Sequence, residues 1–407
     1  MENTDKQKHK HKQTKSFNLH SKFQKPYRRN QVNKSRTNKK QLDSGLFVKK
    51  AQPVEETQYL SSRVIKDLPV DHAIISNLLR KGYITPTEIQ DKSIEAILDG
   101  NDLLGTAHTG TGKTGAFLIP LAHRLLDKKP SNQILVVSPV RELAVQTEQE
   151  FKSITQGLKL YSVCLIGGTS VSTDIRKLNK PYHIVIGTPG RISDMVRQRA
   201  LNLKCFSTLV LDEFDRLLDM GFSEDIQRLV EGMVNRKQTI LFSATEEKSQ
   251  KPLINKLLSN PAEVRLNNGN ESGENIDQEI IKIKEGENKM DVLLRLIQDR
   301  SFEKVLVFAD TKRRVSKVCQ NLRKAGIKAD EIHGDKSQSY RIKALESFKN
   351  KKIRVLVATD VAARGLDIIN VSHVINYEQP QNMESYVHRI GRTGRAGKRG
   401  KAYTFVN

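Results

Sequence analysis

From about residue 64 onward, short apolar runs alternate with stretches of helical periodicity. "ILVVS" (134–138), "VCLIGG" (163–168), "HIVIGT" (183–188), "TLVLDE" (208–213) and "TILFSAT" (239–245) form one group of such runs. Apolar runs of this length with polar ends are the pattern of strands buried on both faces, and their alternation with helices predicts a parallel sheet covered by helices. The polar Gly/Asn stretch "NNGNESGEN" (267–275) then interrupts the pattern. It resumes with "EIIKIK", "KVLVFAD", "RVLVATD" and "HVINYE", and the chain runs out in a last strand, "AYTFVN", with no closing helix after it. The pattern therefore predicts two tandem α/β domains, 61–266 and 276–407, joined by a linker at 267–275. Residues 1–60 are rich in Lys, Gln, Asn and Ser without hydrophobic periodicity, which predicts a disordered arm.

Charge sharpens this picture. The 407-residue chain carries a net +23, and residues 1–50 hold twelve Lys and three Arg against Glu2, Asp5 and Asp43, a net +12. A basic chain with a basic arm favours a polyanion, most simply nucleic acid. Within the arm, Phe17, Phe23 and Tyr27 alternate with Lys22, Lys25, Arg28 and Arg29, a mixture suited to base stacking and phosphate attraction. A solubilising tail is the competing reading of the same residues. His9 and His11 stand among lysines that oppose a dication, so the arm is not read as a metal site. Cys164, Cys205 and Cys319 show no paired or metal-ligand spacing, which suits a reducing cytoplasm, and all three are read as ordinary buried residues. No apolar stretch approaches the length of a membrane span, and a monomer is expected.

Two motifs carry chemistry. "AHTGTGKTGAF" (107–117) lies between the apolar "DLLG" and the helical "AFLIPLAHRLL" and matches a phosphate loop, with Ala107 where the first glycine is usual. Thr109, Gly110, Thr111 and Gly112 would form the turn whose amides face phosphate. Lys113 would reach the outer phosphates, and the Thr114 hydroxyl would hold Mg²⁺. The second motif is the abrupt end of "TLVL" in Asp212, Glu213 and Asp215, three carboxylates that need a cationic partner. Ligands of parallel sheets sit outside the carboxyl ends of the strands, which places these acids near Lys113. Asp212 is the expected Mg²⁺ ligand, partly through water, and Glu213 the residue that orients and deprotonates the attacking water. Asp215 is expected to accept hydrogen bonds from a neighbouring loop.

The set as a whole resembles a DEAD-box ATP-dependent RNA helicase of superfamily 2 over about residues 64–407. "GYITPTEIQ" (82–90) is similar to the Q motif, and "PVREL" (139–143), "GG" (167–168) and "TPGR" (188–191) to motifs that face RNA. "DEFD" (212–215) stands for the family's tetrad and "SAT" (243–245) for its coupling motif. In the second half, "VFADT", "QSYR", "ATDVAARGLDI" and "YVHRIGRTGR" follow in order. The resemblance implies two RecA-like domains. It implies an adenine site at Tyr83 and Gln90, a ribose contact at Asp367, and arginine fingers at Arg392 and Arg395. It further implies coupling through Asp215, Ser243, Thr245 and His388. RNA-backbone contacts would fall at Arg141, Gly168, Thr188, Arg191, Arg341, Thr359 and Arg364.

Three residues depart from the family pattern. Ile65 stands where an aromatic normally stacks on adenine, Val140 replaces a threonine, and Phe214 replaces the tetrad's alanine and is expected to point into packing. The implied activity is ATP-driven separation of short RNA duplexes or remodelling of ribonucleoproteins, with RNA bound through its backbone and without sequence preference. Two other functions fit the same motifs: an ATP-gated RNA clamp with little unwinding, and a DNA helicase of the same superfamily.

Overall fold

The computed structural model describes residues 44–51, 59, 61–108, 110–127, 133–245, 249–266, 275–363, 368, 371–394 and 399–406. Thr109, Arg364, Asp367 and Arg395, most of the 267–275 linker, and Phe17, Phe23 and Tyr27 of the arm lie outside these. Among the described residues the first domain holds seven strands: β1 (Leu103–Thr106), β2 (Gln133–Val137), β3 (Ser162–Leu165), β4 (Ile184–Gly187), β5 (Phe206–Leu211), β6 (Gln238–Ser243) and β7 (Ala262–Arg265). All pair in parallel, in the order β3-β4-β2-β5-β6-β1-β7. The second domain has β8 (Ile276–Lys282), β9 (Val305–Phe308), β10 (Ala329–Ile332), β11 (Val355–Ala358), β12 (His373–Asn376) and β13 (Gly400–Val406), also parallel, in the order β10-β11-β9-β12-β13-β8. These are the two helix-covered sheets that the apolar runs predict.

Every residue of β5 and β6 is buried, and alternate side chains feed the two faces of the sheet. Leu103 and Val136 join one core cluster, while Leu104, Leu135 and Val137 join the other. Because all strands run the same way, the segments that follow β1, β5 and β6 emerge at a single edge. The register Thr106↔Ser243 and Leu211↔Leu241 aligns those strand ends closely. Among the described residues, no helix is long and apolar enough to cross a membrane.

One expectation of the arm needs correction. The arm is not featureless up to residue 60. Ser44–Phe47 forms a 3-10 turn, Lys49 pairs antiparallel with Gln278 on β8, and Phe47 is fully buried in the core of the second domain. Burying a phenylalanine yields about 1.5–3 kcal/mol, enough to hold a short segment in place. The local composition hides this because one residue, Phe47, supplies the anchor. Cys205, read as buried, is exposed, which corrects that reading. The motif "YVHRIGRTGR" is split between a helix and a turn. Residues Met383–Ile390 are helical, with Asn382 capping the N-terminus by accepting from the Ser385 amide at 2.8 Å, and the chain turns only at Gly391.

Phe214 lies fully buried in the cluster that backs β5 and β6, among Leu209, Leu211, Leu217 and Leu241. Truncation to the alanine usual in the family would leave a cavity in this chain. Phe214→Ala is expected to cost about 3–5 kcal/mol, read as a lower urea midpoint.

Candidate functional site

The phosphate loop is shaped by its glycines. Gly110 (φ 92°) and Gly112 (φ 97°) take left-handed backbone that only glycine adopts without strain, and the helix Lys113–Leu125 starts directly after them. Its first residue, Lys113, is buried and donates from Nζ to the Ala107 carbonyl, while Thr111 Oγ1 donates to His108 O at 2.9 Å. Burial lowers the Lys113 pKa, against the pull of Glu213, Asp212 and Asp215. Those attractions bring together the lysine and carboxylates that the sequence reading joins. Thr114, the next residue of the helix, remains partly exposed.

The carboxylates themselves are almost fully buried. Burial, reinforced by the charge of Glu213, pushes Asp212 up to about 7. Glu213 sits in left-handed backbone (φ 50°, ψ 56°) at the start of the helix Phe214–Asp219, a conformation costly for a residue with a side chain. Arg216 Nη1 holds Glu213 Oε2 at 2.8 Å, and both side chains are buried. Sequence reasoning missed Arg216, although its place three residues after Glu213 on a helical turn was the available signal. Asp215 makes the contacts expected of it. Its Oδ2 accepts from the Ala244 amide at 3.2 Å and from Thr245 Oγ1 at 3.3 Å, and its own amide donates to Ser243 Oγ at 3.3 Å. Ser243 Oγ in turn donates to the Thr245 carbonyl at 2.6 Å.

Of the residues expected at the adenine, Ile65 is core, and Tyr83 and Gln90 have protein partners. Ile65 is fully buried in the first core cluster and offers no face to a base, because Ile65, Leu68, Val70 and Ile74 pack together as core. Tyr83 donates its hydroxyl to Glu150 at 3.2 Å, on the helix Arg141–Ile154, and burial pushes its pKa up to about 12. Gln90 does reach the phosphate loop, but as a brace. Its Oε1 accepts from the Thr87 amide at 3.1 Å and its Nε2 donates to Gly112 O at 3.1 Å. A Cβ at Gly112 or Gly115 would stand 2.7 Å from that Nε2, so the glycines make room for the brace.

Of the arginines of "HRIGRTGR" in the second domain, Arg389 and Arg392 are among the described residues. Arg389 is buried, binds Asp360 through Nε (2.6 Å) and Nη2 (2.7 Å), donates to Glu378 O at 2.7 Å, and stacks over Phe308 at 5.2 Å. It holds the domain together. Arg392 is buried just beyond the helix end, and His388 is half-buried on the helix itself.

A cleft of about 960 Å³ is lined by both domains. From the first domain come Arg141, Gly168, Thr188 and Arg191, and from the second Arg341 and Thr359, so the six described residues expected to follow a nucleic-acid backbone meet in one place. Three helices, Arg141–Ile154, Pro189–Arg197 and Lys312–Lys324, begin at this cleft, and their N-terminal amides favour anions. Two of the arginines have structural duties that the sequence did not disclose. Arg191 Nε donates to Ile166 O at 3.0 Å and faces Asp174 at 3.5 Å, bracing the Gly167–Gly168 loop rather than offering its charge. Arg341 pairs with Glu142 at 2.9 Å, and Gln338 donates to the same carboxylate at 2.8 Å, linking the domains directly. Arg141 lies along the glycine loop, where a Cβ at Gly167 or Gly168 would stand 2.8 or 2.7 Å from its guanidinium.

The geometry has counterparts among known proteins. The chain matches the DEAD/DEAH box helicase family over residues 87–253 and the helicase conserved C-terminal domain over 288–397. It is 44% identical over 337 residues to the ATP-dependent RNA helicase CshA of Listeria monocytogenes, covering 83% of this chain and 65% of that one. It is 41% identical over 341 residues to the DEAD-box ATP-dependent RNA helicase CshA of Bacillus subtilis, covering 84% and 69%. Among solved structures it is similar to Mss116p bound to single-stranded RNA and AMP-PNP, with a TM-score of 0.75 and 33% identity over 84% of this chain and 75% of that chain. The chain thus spans about 65% of the length of the first curated relatives it matches.

Val140 occupies the N-cap of the helix Arg141–Ile154 and offers no side-chain bond to it. Val140→Thr supplies the missing acceptor and is expected to raise stability by about 1 kcal/mol, read as a higher melting midpoint.

Proposed function

Because the chain belongs to the DEAD/DEAH box helicase family, we propose that it is an ATP-dependent RNA helicase that grips RNA by its backbone. On this reading it separates short duplexes or remodels ribonucleoproteins. The observation that carries it is the cleft lined by both domains, with three helix N-termini and basic side chains facing it. Such a lining suits a chain of phosphates and offers little means of reading bases.

On this reading the loop amides and Lys113 hold the outer phosphates of ATP. Thr114 and Asp212 would hold magnesium, and the donor set fits: one buried carboxylate whose proton affinity is raised, beside a hydroxyl and a phosphate site. Bound there, the cation would neutralise phosphate charge as the γ-phosphoryl group leaves. Glu213, held in place by Arg216, takes the proton of the attacking water. Arg392 and Arg395 stabilise the charge that develops, and Asp367 binds the ribose. Asp215 ties the carboxylate strand end to Ser243 and Thr245, so a change at the nucleotide is felt at β6; His388 would receive it across the cleft. Arg141, Gly168, Thr188, Thr359 and Arg364 bear on the RNA, with Arg191 and Arg341 as braces. The cysteines fit a reducing cytoplasm, since burial pushes Cys164 and Cys319 up to about 12 and keeps them unreactive. A monomer suffices for this work, because one chain supplies both walls of the cleft.

ATPase rate against single-stranded RNA, duplex RNA and DNA tests the substrate: RNA stimulation is expected, and equal stimulation by DNA would overturn the assignment. A clamp with little unwinding would use the same motifs and the same Glu142–Arg341 and Glu142–Gln338 links; duplex release compared with ATP turnover separates the two. Glu213→Gln should lower ATP turnover by about 10²–10⁴ while leaving nucleotide and RNA bound, whereas Lys113→Ala should lose both. Turnover and RNA dissociation, measured in parallel, decide this. Deleting residues 1–43 should weaken RNA binding and flatten its dependence on salt, because each lysine or arginine removed from phosphate releases fewer counterions. Titrations at several salt concentrations read the slope.

A further inference from the structure

All strands of the second sheet start at one edge and end at the other, and the cleft uses only the far ends. Asp310, Thr311, Gly334, Asp335 and Thr359, which line it, all follow the ends of β9, β10 and β11. The starting edge lies a strand length away, about 13 Å for four residues. Backbone bonds knit that edge into one row. The Arg354 amide donates to Lys328 O at 2.8 Å, the Val305 amide to Arg354 O at 2.9 Å, and the Ser372 amide to Lys304 O at 2.8 Å. His373, next in the chain, is in register with Lys401. The row thus crosses β10, β11, β9, β12 and β13 in that order, over about 19 Å. Arg354 fixes the turn after the helix Lys289–Gln298 to it, donating to Ile297 O at 2.6 Å, Phe302 O at 2.5 Å and Asp299 O at 2.8 Å.

The segments that lead into these strands expose Arg300, Lys328, Lys351, Lys352, Arg399 and Lys401, and none of these makes an ion pair among the described residues. The acids of the same segments are Asp299 and Glu303, and Asp299 already accepts the Ser301 amide at 2.8 Å. Lys351 holds left-handed backbone (φ 56°), so the turn after the helix Gln338–Lys349 presents a cation where glycine fits with less strain. Burial and the charge of Lys401, then Arg354, bring His373 down to about 4 against the pull of Asp299, so its ring adds no charge at neutral pH. We propose that this edge is a second RNA surface, which takes the phosphate backbone of a double-helical segment lying outside the cleft. Unpaired cations in a row attract a polyanion. None of the exposed large apolar side chains lies in these segments, so a protein partner would find no anchor. The aromatic rings here are no platform for unpaired bases either, because Phe302 and His373 are buried against each other at 3.7 Å and Tyr403 is half-buried beside them. Phosphates alone remain to be recognised, as on the outside of a duplex. That the polyanion is RNA rests on the proposed function; that the edge takes a phosphate backbone rests on its charge and position.

The test compares three full-length proteins. One is the parent, and the edge variant combines Lys328→Gln, Lys351→Gln, Lys352→Gln and Lys401→Gln. The control combines Lys66→Gln, Lys204→Gln, Lys251→Gln and Lys256→Gln, removing the same charge from exposed positions of the first domain. Each is titrated at several salt concentrations with a short single strand and with the same strand joined to a hairpin of about 16 base pairs. The edge variant should bind the hairpin about tenfold more weakly, with a salt slope smaller by about 2–3, as expected when roughly three phosphate contacts are lost. Its affinity for the short strand, and the ATPase rate which that strand stimulates, should match the parent. Lys351→Gln with Lys352→Gln alone, in a turn outside the sheet, should give about half the change in slope. Parental hairpin affinity and slope in the edge variant overturn the proposal. Equal losses in the edge variant and the control also overturn it, because net charge alone then explains them. Equal weakening for the short strand and the hairpin counts against a surface separate from the cleft. If RNA fails to stimulate the parent's ATPase while hairpin binding falls in the edge variant alone, the surface stands and the proposed function falls.

Discussion

Two cations, Lys113 and Arg216, and three carboxylates, Asp212, Glu213 and Asp215, lie buried at one edge of the first sheet. Five ionisable groups out of water are tolerable only if nearly every charge has a partner. Glu213 has Arg216, Asp215 has the amide and hydroxyl of the residues after β6, and Lys113 has the Ala107 carbonyl and the field of the acids. The cluster nevertheless carries one more negative charge than positive, and the deficit falls on Asp212, whose proton affinity rises accordingly. A site left short of one positive charge in the absence of nucleotide suits a ligand that arrives with its own cation.

Other features of the first domain serve to keep that cluster in place. Three parallel strands, β1, β5 and β6, deliver its members to one edge, and the buried Phe214 wedges the turn that follows β5 against the sheet. Gln90 braces the phosphate loop from the side, and two glycines leave space for its amide. The left-handed backbone at Glu213 is the remaining strain. It turns the chain sharply from the end of β5 into the helix Phe214–Asp219.

The second domain enters this arrangement by a different kind of contact. Glu142 is nearly inaccessible, yet its partners Gln338 and Arg341 belong to the other domain. Opening the cleft would strip a buried carboxylate of both, which opposes separation. Phe47 and Lys49 dock on the second domain outside the cleft, through a hydrophobic anchor and a short edge pairing with Gln278. The charge pair across the cleft weakens with salt, whereas the apolar dock of Phe47 on the second domain does not.

Much of this was legible in the residues alone. Apolar runs of four to seven residues can be buried only as interior strands, and a glycine-rich turn before a helix has few uses other than phosphate. The two domains, the phosphate loop and the acidic strand end therefore follow from local pattern and physical chemistry. The burden carried by each polar side chain did not. Arg191, Arg341 and Arg389 look alike in sequence, yet in the structure one braces a glycine loop, one bridges the domains, and one is sealed inside the second domain. Ile65 and Tyr83 were legible as neighbours of a nucleotide motif, but only packing decided that one is core and the other bound to Glu150. Phe47 was the least legible, because its core belongs to strands more than two hundred residues away. Local sequence sets which elements form, since propensity and periodicity are short-range; the partner of a charge or the resting place of a lone aromatic is set by whatever the folded chain brings beside it.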